Sequence, residues 1–261
     1  MDQHYSTGID LQSAYTALLN VDKQIAEDNW LDPDEIESEG ELGRIMLEGY
    51  EEWVAEEGID AELDMVSTEE ILSMPLLNGE VELQGKLDMR VKRKADGARL
   101  VRDFKTTANF TDIEATAQIN EQVLTYLLLE GANKAPGERS DGAIFTMLKK
   151  VKRTASAKPP FYKQFEVTHN DFTLKSFWLS LHGVVTEMMN AKKALDAGVA
   201  HQQVAYPHPS RDCTWKCPFF TICPMANDGS GMEDAIKELY VVSDPYDYYA
   251  NGKTTEKEDS N

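Results

Sequence analysis

Apolar and polar residues alternate through Val81, Leu83, Leu87, Met89 and Val91, the two-residue period of a half-buried strand. A second run of this kind, Ala98 to Lys105, follows Lys94-Ala95-Asp96-Gly97. An Asp-Gly pair between two such runs predicts a hairpin. Val66 to Asn78 reads as the connection leading into it. Upstream, Leu11 to Ile25 reads as a helix, and Asp32 before Pro33 as a helix start. Ile45, Leu47, Tyr50, Trp53 and Val54 recur at helical spacing from Gly40 to Glu57, with Gly58 as the stop.

Downstream of the hairpin, Asp112 to Glu130 predicts a helix ended near Gly131. Ala143 to Val151 and Phe161 to Val167 predict strands, separated by the Pro- and Lys-containing loop Lys152 to Pro160. Asp171 to Ala197 predicts a long helix that stops at Gly198, with Phe172, Leu174, Phe177, Leu181 and Val185 as its apolar positions. The order strand, strand, helix, strand, strand, helix implies an α+β fold, a central mixed β-sheet flanked by helices.

A chain of 261 residues, 41% apolar, supports one sizeable domain, placed at residues 1–227. An acidic extension, 228–261, follows, and its end from Asn251 has too little apolar content to fold. No apolar run approaches a membrane span, and Met1-Asp2-Gln3-His4 does not begin a signal peptide, so a cytoplasmic setting is expected.

The net charge of −20 opposes non-specific nucleic-acid binding as a sum, but its distribution is uneven. From Asp22 to Glu70 the only bases are Lys23 and Arg44. Arg90, Lys92, Arg93, Lys94, Arg99, Arg102 and Lys105 surround the hairpin, and Lys149, Lys150, Lys152, Arg153, Lys158 and Lys163 form a second cluster. A basic surface for DNA is one reading, with Lys149, Lys150, Lys152 and Arg153 as its contacts. Solvated strand ends are the other.

The chemistry-bearing residues fall on the same elements. Asp88 sits in the first hairpin strand, while Asp103 and Lys105, two apart, share one face of the second. Gln122 and Tyr126, four apart, share a helix face. Two carboxylates, a lysine and a Gln/Tyr pair suit metal-dependent cleavage of a phosphodiester. Gly85-Lys86-Leu87-Asp88, then Asp103-Phe104-Lys105, then Gln122 to Tyr126, resembles the PD-(D/E)XK nuclease superfamily. The RecB-like branch, with its CRISPR-associated exonucleases and many phage nucleases, is the part it is most similar to.

That resemblance implies a restriction-endonuclease-like α/β core and a DNA exonuclease of phage or prokaryotic recombination, repair or replication. The setting would be a bacterial or phage-infected cytoplasm. Asp88 and Asp103 would bind Mg²⁺ or Mn²⁺, with the Phe104 carbonyl completing the shell. Lys105 would orient the nucleophile or stabilise developing charge, assisted by Gln122 and Tyr126. DNA is the implied substrate, with a recombination or replication protein as a further partner. Relatives often carry G-x-x-x-H in the first helix, whereas Gly43 is followed at that spacing by Leu47. Glu48 is the nearest replacement ligand, or else a glutamate on a solvated helix face.

Cys213, Cys217 and Cys223 are the chain's only cysteines, an odd, clustered set that argues for reduced thiols or a metal. Their spacing resembles the C-terminal triplet of iron–sulfur RecB-like nucleases, although a fourth cysteine is missing. His208, or more distantly His4, would complete a set for a 4Fe–4S cluster or for Zn²⁺. The missing histidine and the acidic charge favour a second reading, an inactive nuclease-fold module that binds DNA ends or a partner protein. An acidic DNA mimic is a third, which leaves the Asp-Phe-Lys triplet without a purpose.

Overall fold

The computed structural model describes residues 2–28, 33–205 and 208–242. They fall into two compact units, Met1–His182 and Gly183–Asn261. The boundary expected after residue 227 therefore lies inside the second unit. Asp32 and the tail from Asn251 lie outside the described residues.

The first unit is built on a five-stranded sheet ordered β1-β2-β3-β4-β5. The strands are β1 Leu63–Leu76, β2 Val81–Arg93, β3 Arg99–Thr107, β4 Gly142–Lys149 and β5 Tyr162–Thr168. The β3–β4 pair is parallel and the others are antiparallel, so the sheet is mixed as expected. The segment read as a connection is β1, which pairs with β2 from Leu63↔Arg93 to Leu76↔Val81. Glu69, Glu70 and Pro75 interrupt its apolar period. A sheet edge tolerates them, because one side of that strand has no ladder to lose.

Helices α1 Asp2–Thr7, α2 Leu11–Asp28 and α3 Pro33–Glu57 precede the sheet. Gly58 takes a left-handed φ of 64° and ends α3. The helix expected over Asp112–Glu130 is two: α4 Phe110–Thr116 and α5 Glu121–Asn133. Asn120, in extended backbone, accepts a hydrogen bond from the Val123 amide at 3.0 Å and so restarts the helix. One sheet face packs on α5 through Leu87, Val101, Phe145 and Met147 against Val123, Leu127 and Leu129. On the other, Leu148 packs with Leu11, Met46 and Tyr50, while Met89, Val91, Leu100 and Ile144 cluster beside Tyr5.

The alternation seen in the sequence conceals a switch of face. Leu87 packs toward α5, but Met89 and Val91, of the same parity, pack toward the opposite face. The switch falls at Asp88. Opposite it Glu69 has a φ of +49°, and the ladder steps from Thr68↔Met89 to Glu70↔Leu87 without pairing 69 with 88. Two strands kinked together invert which residues face α5.

Buried polar clamps fix both faces. Arg102, 1% exposed, donates to Asp60 Oδ1 at 2.6 Å, Tyr50 Oη at 3.0 Å and Thr146 Oγ1 at 2.9 Å. Tyr5 donates to Asp60 Oδ2 at 2.6 Å, so α1, α3 and β3 share one network. Its hydroxyl pKa is raised, first by burial and then by Tyr50. On the α5 face, Arg90 pairs at 2.5 Å with the fully buried Glu130, which also accepts from the Ser140 amide. Both readings of the basic residues around the hairpin, a DNA surface or solvated strand ends, place these two arginines at the surface. The fold buries them to satisfy carboxylates instead.

Helix α6, Asp171–Asp196, starts in the first unit and ends in the second. Leu174 packs against the α5-side core, whereas Phe172, expected among the packed positions, is 81% exposed. The second unit continues with short helices α7 His201–Val204, α8 Cys213–Lys216, α9 Met225–Asp228 and α10 Met232–Leu239. Phe219 stacks on Tyr240, whose hydroxyl donates to the Pro218 carbonyl at 2.8 Å.

Candidate active site

Asp103 projects from β3 toward α5 and is fully buried. Lys105, two residues on, reaches back to donate to Asp103 Oδ1 at 3.1 Å. The same ammonium donates to Gln122 Oε1 at 2.5 Å, and Gln122 Nε2 donates to Tyr126 Oη at 2.7 Å. One helical turn of α5 therefore holds Lys105 through a chain of side chains. Asp88 stands at the kink, where its Oδ2 accepts from the Phe104 amide at 3.0 Å. A side chain thus takes the β3 amide at the place where the strands part.

Gly85 is part of this construction. A Cβ there would lie 2.7 Å from Leu129 Cδ1 and 3.3 Å from the Tyr126 ring, so its absence lets α5 lie close on β2. The five residues singled out from the sequence, Asp88, Asp103, Lys105, Gln122 and Tyr126, thereby meet at one place.

Electrostatics single out Asp103. Burial pushes its carboxyl up to about 6, Lys105 opposes this and neighbouring Asp88 adds to it. Its Oδ2 is sealed from solvent and accepts no well-aligned hydrogen bond, although the Lys105 ammonium lies 3.0 Å away. A buried carboxylate oxygen without a hydrogen bond, beside a second carboxylate, fits a hard divalent cation.

A model of the PD-(D/E)XK nuclease superfamily matches residues 3–224. The chain belongs to that superfamily. No curated protein matches it. A solved structure titled "Crystal structure of SSO0001" is similar at 16% identity over 82% of this chain and 81% of that one, with a TM-score of 0.37.

For this PD-(D/E)XK protein, the other expected site residues lie elsewhere. Leu47, at the missing histidine's position, packs with the apolar cluster beneath α3. Glu48 is exposed and lines a groove of about 740 Å³ with Glu52, Trp53, Arg153 and Tyr162. Together with Glu52 it raises the Tyr162 hydroxyl pKa, an effect secondary to burial. Arg153 turns into this groove, donating to Tyr162 Oη at 2.7 Å and lying over the Phe161 ring at 3.8 Å. Lys150 and Lys152 are exposed and line a separate cavity, and Lys149 is half-buried at the end of β4.

Cys213 is half-buried, and Cys217, Cys223 and His208 are exposed. Among the described residues no three His, Cys, Asp or Glu side chains gather into a metal-binding group. The ligand set expected of the cysteines and His208 is therefore not assembled, and neither an iron–sulfur cluster nor Zn²⁺ is supported there. The segment's local structure is a short helical turn in which the Ser210 amide donates to Cys213 Sγ at 3.4 Å. No described helix is long and apolar enough to cross a membrane.

Periodicity and motif spacing carry no notice of Glu69, whose left-handed backbone lies opposite Asp88, or of Glu130, which ties α5 to Arg90. A glutamate ending the run Leu127-Leu128-Leu129 was the available signal for the second, because an acid at the end of a buried stretch needs a partner.

Proposed function

We propose that this chain is a divalent-metal-dependent deoxyribonuclease that works from DNA ends, in phage or prokaryotic recombination, repair or replication in the cytoplasm. The observation that carries the reading is the buried Asp103 Oδ2 without a hydrogen bond, next to Asp88 and Lys105. Asp88 and Asp103 would hold Mg²⁺ or Mn²⁺, joined by the Phe104 carbonyl. The bound cation supplies Lewis acidity to the scissile phosphate and makes a nearby water more acidic. Lys105 presents its charge where the phosphate gains negative charge in the transition state. Gln122, itself held by Tyr126, keeps that ammonium directed into the site.

The test is cleavage of end-labelled linear and circular DNA with Mn²⁺, Mg²⁺ or EDTA. Shortening of linear DNA that needs the metal, with circles spared, supports the reading. Retained cleavage in both Asp103→Ala and Lys105→Ala removes the site assignment. The packing of Leu47 and the placement of Glu48 favour a second reading, a module that binds DNA ends or a partner with little catalysis. Folded protein that binds DNA and cuts neither form with any metal selects it.

A further inference from the structure

Beside the carboxyl ends of β3 and β4, an open cavity of about 510 Å³ reaches α2 and α3. These are the sheet's one parallel pair, and ligands of open α/β sheets bind beyond such strand ends. Leu42, Met46, Leu47 and Leu148 line it with apolar surface, and Tyr15 adds an aromatic ring. Gly43 makes room for that ring: a Cβ there would stand 2.1 Å from Tyr15 Oη. Ser38 and Glu39 supply polar groups, while Lys150 and Lys152 supply positive charge. The Lys150 amide donates to the Thr107 carbonyl at 2.7 Å, which fixes its backbone at the end of the catalytic strand. Thr106, which also lines the cavity, directly follows Lys105 but projects from the opposite face of β3, so the cavity and Lys105 lie on the two sides of the same strand end.

We propose that this cavity seats the base of an unpaired nucleotide, in a DNA strand whose backbone passes Lys150 and Lys152, beyond the end of β4, and rounds the strand ends to reach Lys105 on the other face. The inference deepens the nuclease reading and rests on it. An aromatic ring and an apolar lining suit the flat face of a base, which stacks whatever its sequence. Glu39 repels phosphate, which places the backbone at the lysine side and the base edge toward Ser38 and Glu39. The volume is that of a small-molecule pocket and too small for a duplex. Base pairs in a duplex present no free base face, so the substrate class is DNA with a single-stranded end.

The experiment is fluorescence anisotropy in EDTA, with a labelled oligothymidylate, the same strand made abasic, and a blunt duplex. The expected result is oligothymidylate binding roughly tenfold tighter than the abasic strand, the loss associated with one stacked base. Tyr15→Leu removes that preference, while Lys150→Ala with Lys152→Ala, both exposed sites, lowers the salt slope by about 1.4. Equal affinity for the normal and abasic strands, or a preference for the blunt duplex, overturns the proposal. Absence of DNA binding with metal-dependent cleavage intact overturns this seat alone and leaves the nuclease reading standing. A base preference without cleavage keeps the seat and removes the nuclease reading.

Discussion

Replacing Asp103 with Asn removes a buried charge that the metal-free fold holds at a disadvantage. The carboxyl's ordinary pKa of 3.8 rises to about 6 in the folded chain, mainly through burial. A difference of about two units corresponds to about 3 kcal/mol. Below 3.8 the group is protonated both folded and unfolded, and nothing is lost. As pH rises, the unfolded chain ionises first, so stability falls through the window from 3.8 to about 6 and stays low above it. Asn carries no charge and still offers Lys105 an acceptor, so Asp103→Asn gains up to about 3 kcal/mol at about pH 8 and roughly half that at about pH 5. Urea unfolding of both proteins in EDTA measures this. A loss of stability at the higher pH, or a gain that does not shrink at the lower one, refutes the reasoning. With Mn²⁺ added, the wild type rises in Tm and the variant does not.

Gln122→Ala leaves the Lys105 ammonium without its amide partner, so cleavage falls by about a hundredfold with folding unchanged, read by single-turnover kinetics beside circular dichroism. Gly85→Ala sets a Cβ 2.7 Å from Leu129, which destabilises by about 1–3 kcal/mol in urea and lowers cleavage by pushing α5 away. Glu130→Leu takes the Nε partner from the buried Arg90, which keeps the Glu138 carbonyl at 2.6 Å and Glu70 at 3.5 Å, and denaturant unfolding shows a loss of about 1–3 kcal/mol. Glu69→Gly suits a φ of +49° and keeps both activity and fold, whereas Glu69→Val destabilises by about 1–3 kcal/mol and weakens Mn²⁺ binding measured by calorimetry.

Most of the sheet was legible because β2 carries apolar residues at strand period, β4 is a short continuous apolar run, and turn residues bound the strands. β1 was not, since an edge strand accepts Pro75 and adjacent glutamates that a central strand would reject. The split between α4 and α5 was hidden because Asn120 in a polar stretch suits a helix surface as well as a cap. Charge misled most at Arg90 and Arg102. Sequence counts them as basic surface, but both lie buried against acids contributed by remote segments, Glu130 and Asp60. Burial depends on which elements pack together, and local composition does not contain that.

Motif spacing anticipated which side chains meet, where periodicity did not. Asp103, Lys105, Gln122 and Tyr126 need only regular strand and helix geometry to meet, so their spacing already carries their convergence. Asp88 needs more. Strand period alone would continue the side chains of β2 on their original faces, with Leu87 and Met89 together. The paired kink at Glu69 and Asp88 breaks that continuity, sending Leu87 to the α5 core and Met89 to the opposite one. At the break β2 stops pairing with β3, and the Phe104 amide is left to the Asp88 carboxylate. The irregularity that defeats the alternation rule is therefore what brings the second carboxylate beside Asp103. A fully regular β2 would keep every ladder bond and lose the pairing of the two acids on which the proposed metal site rests.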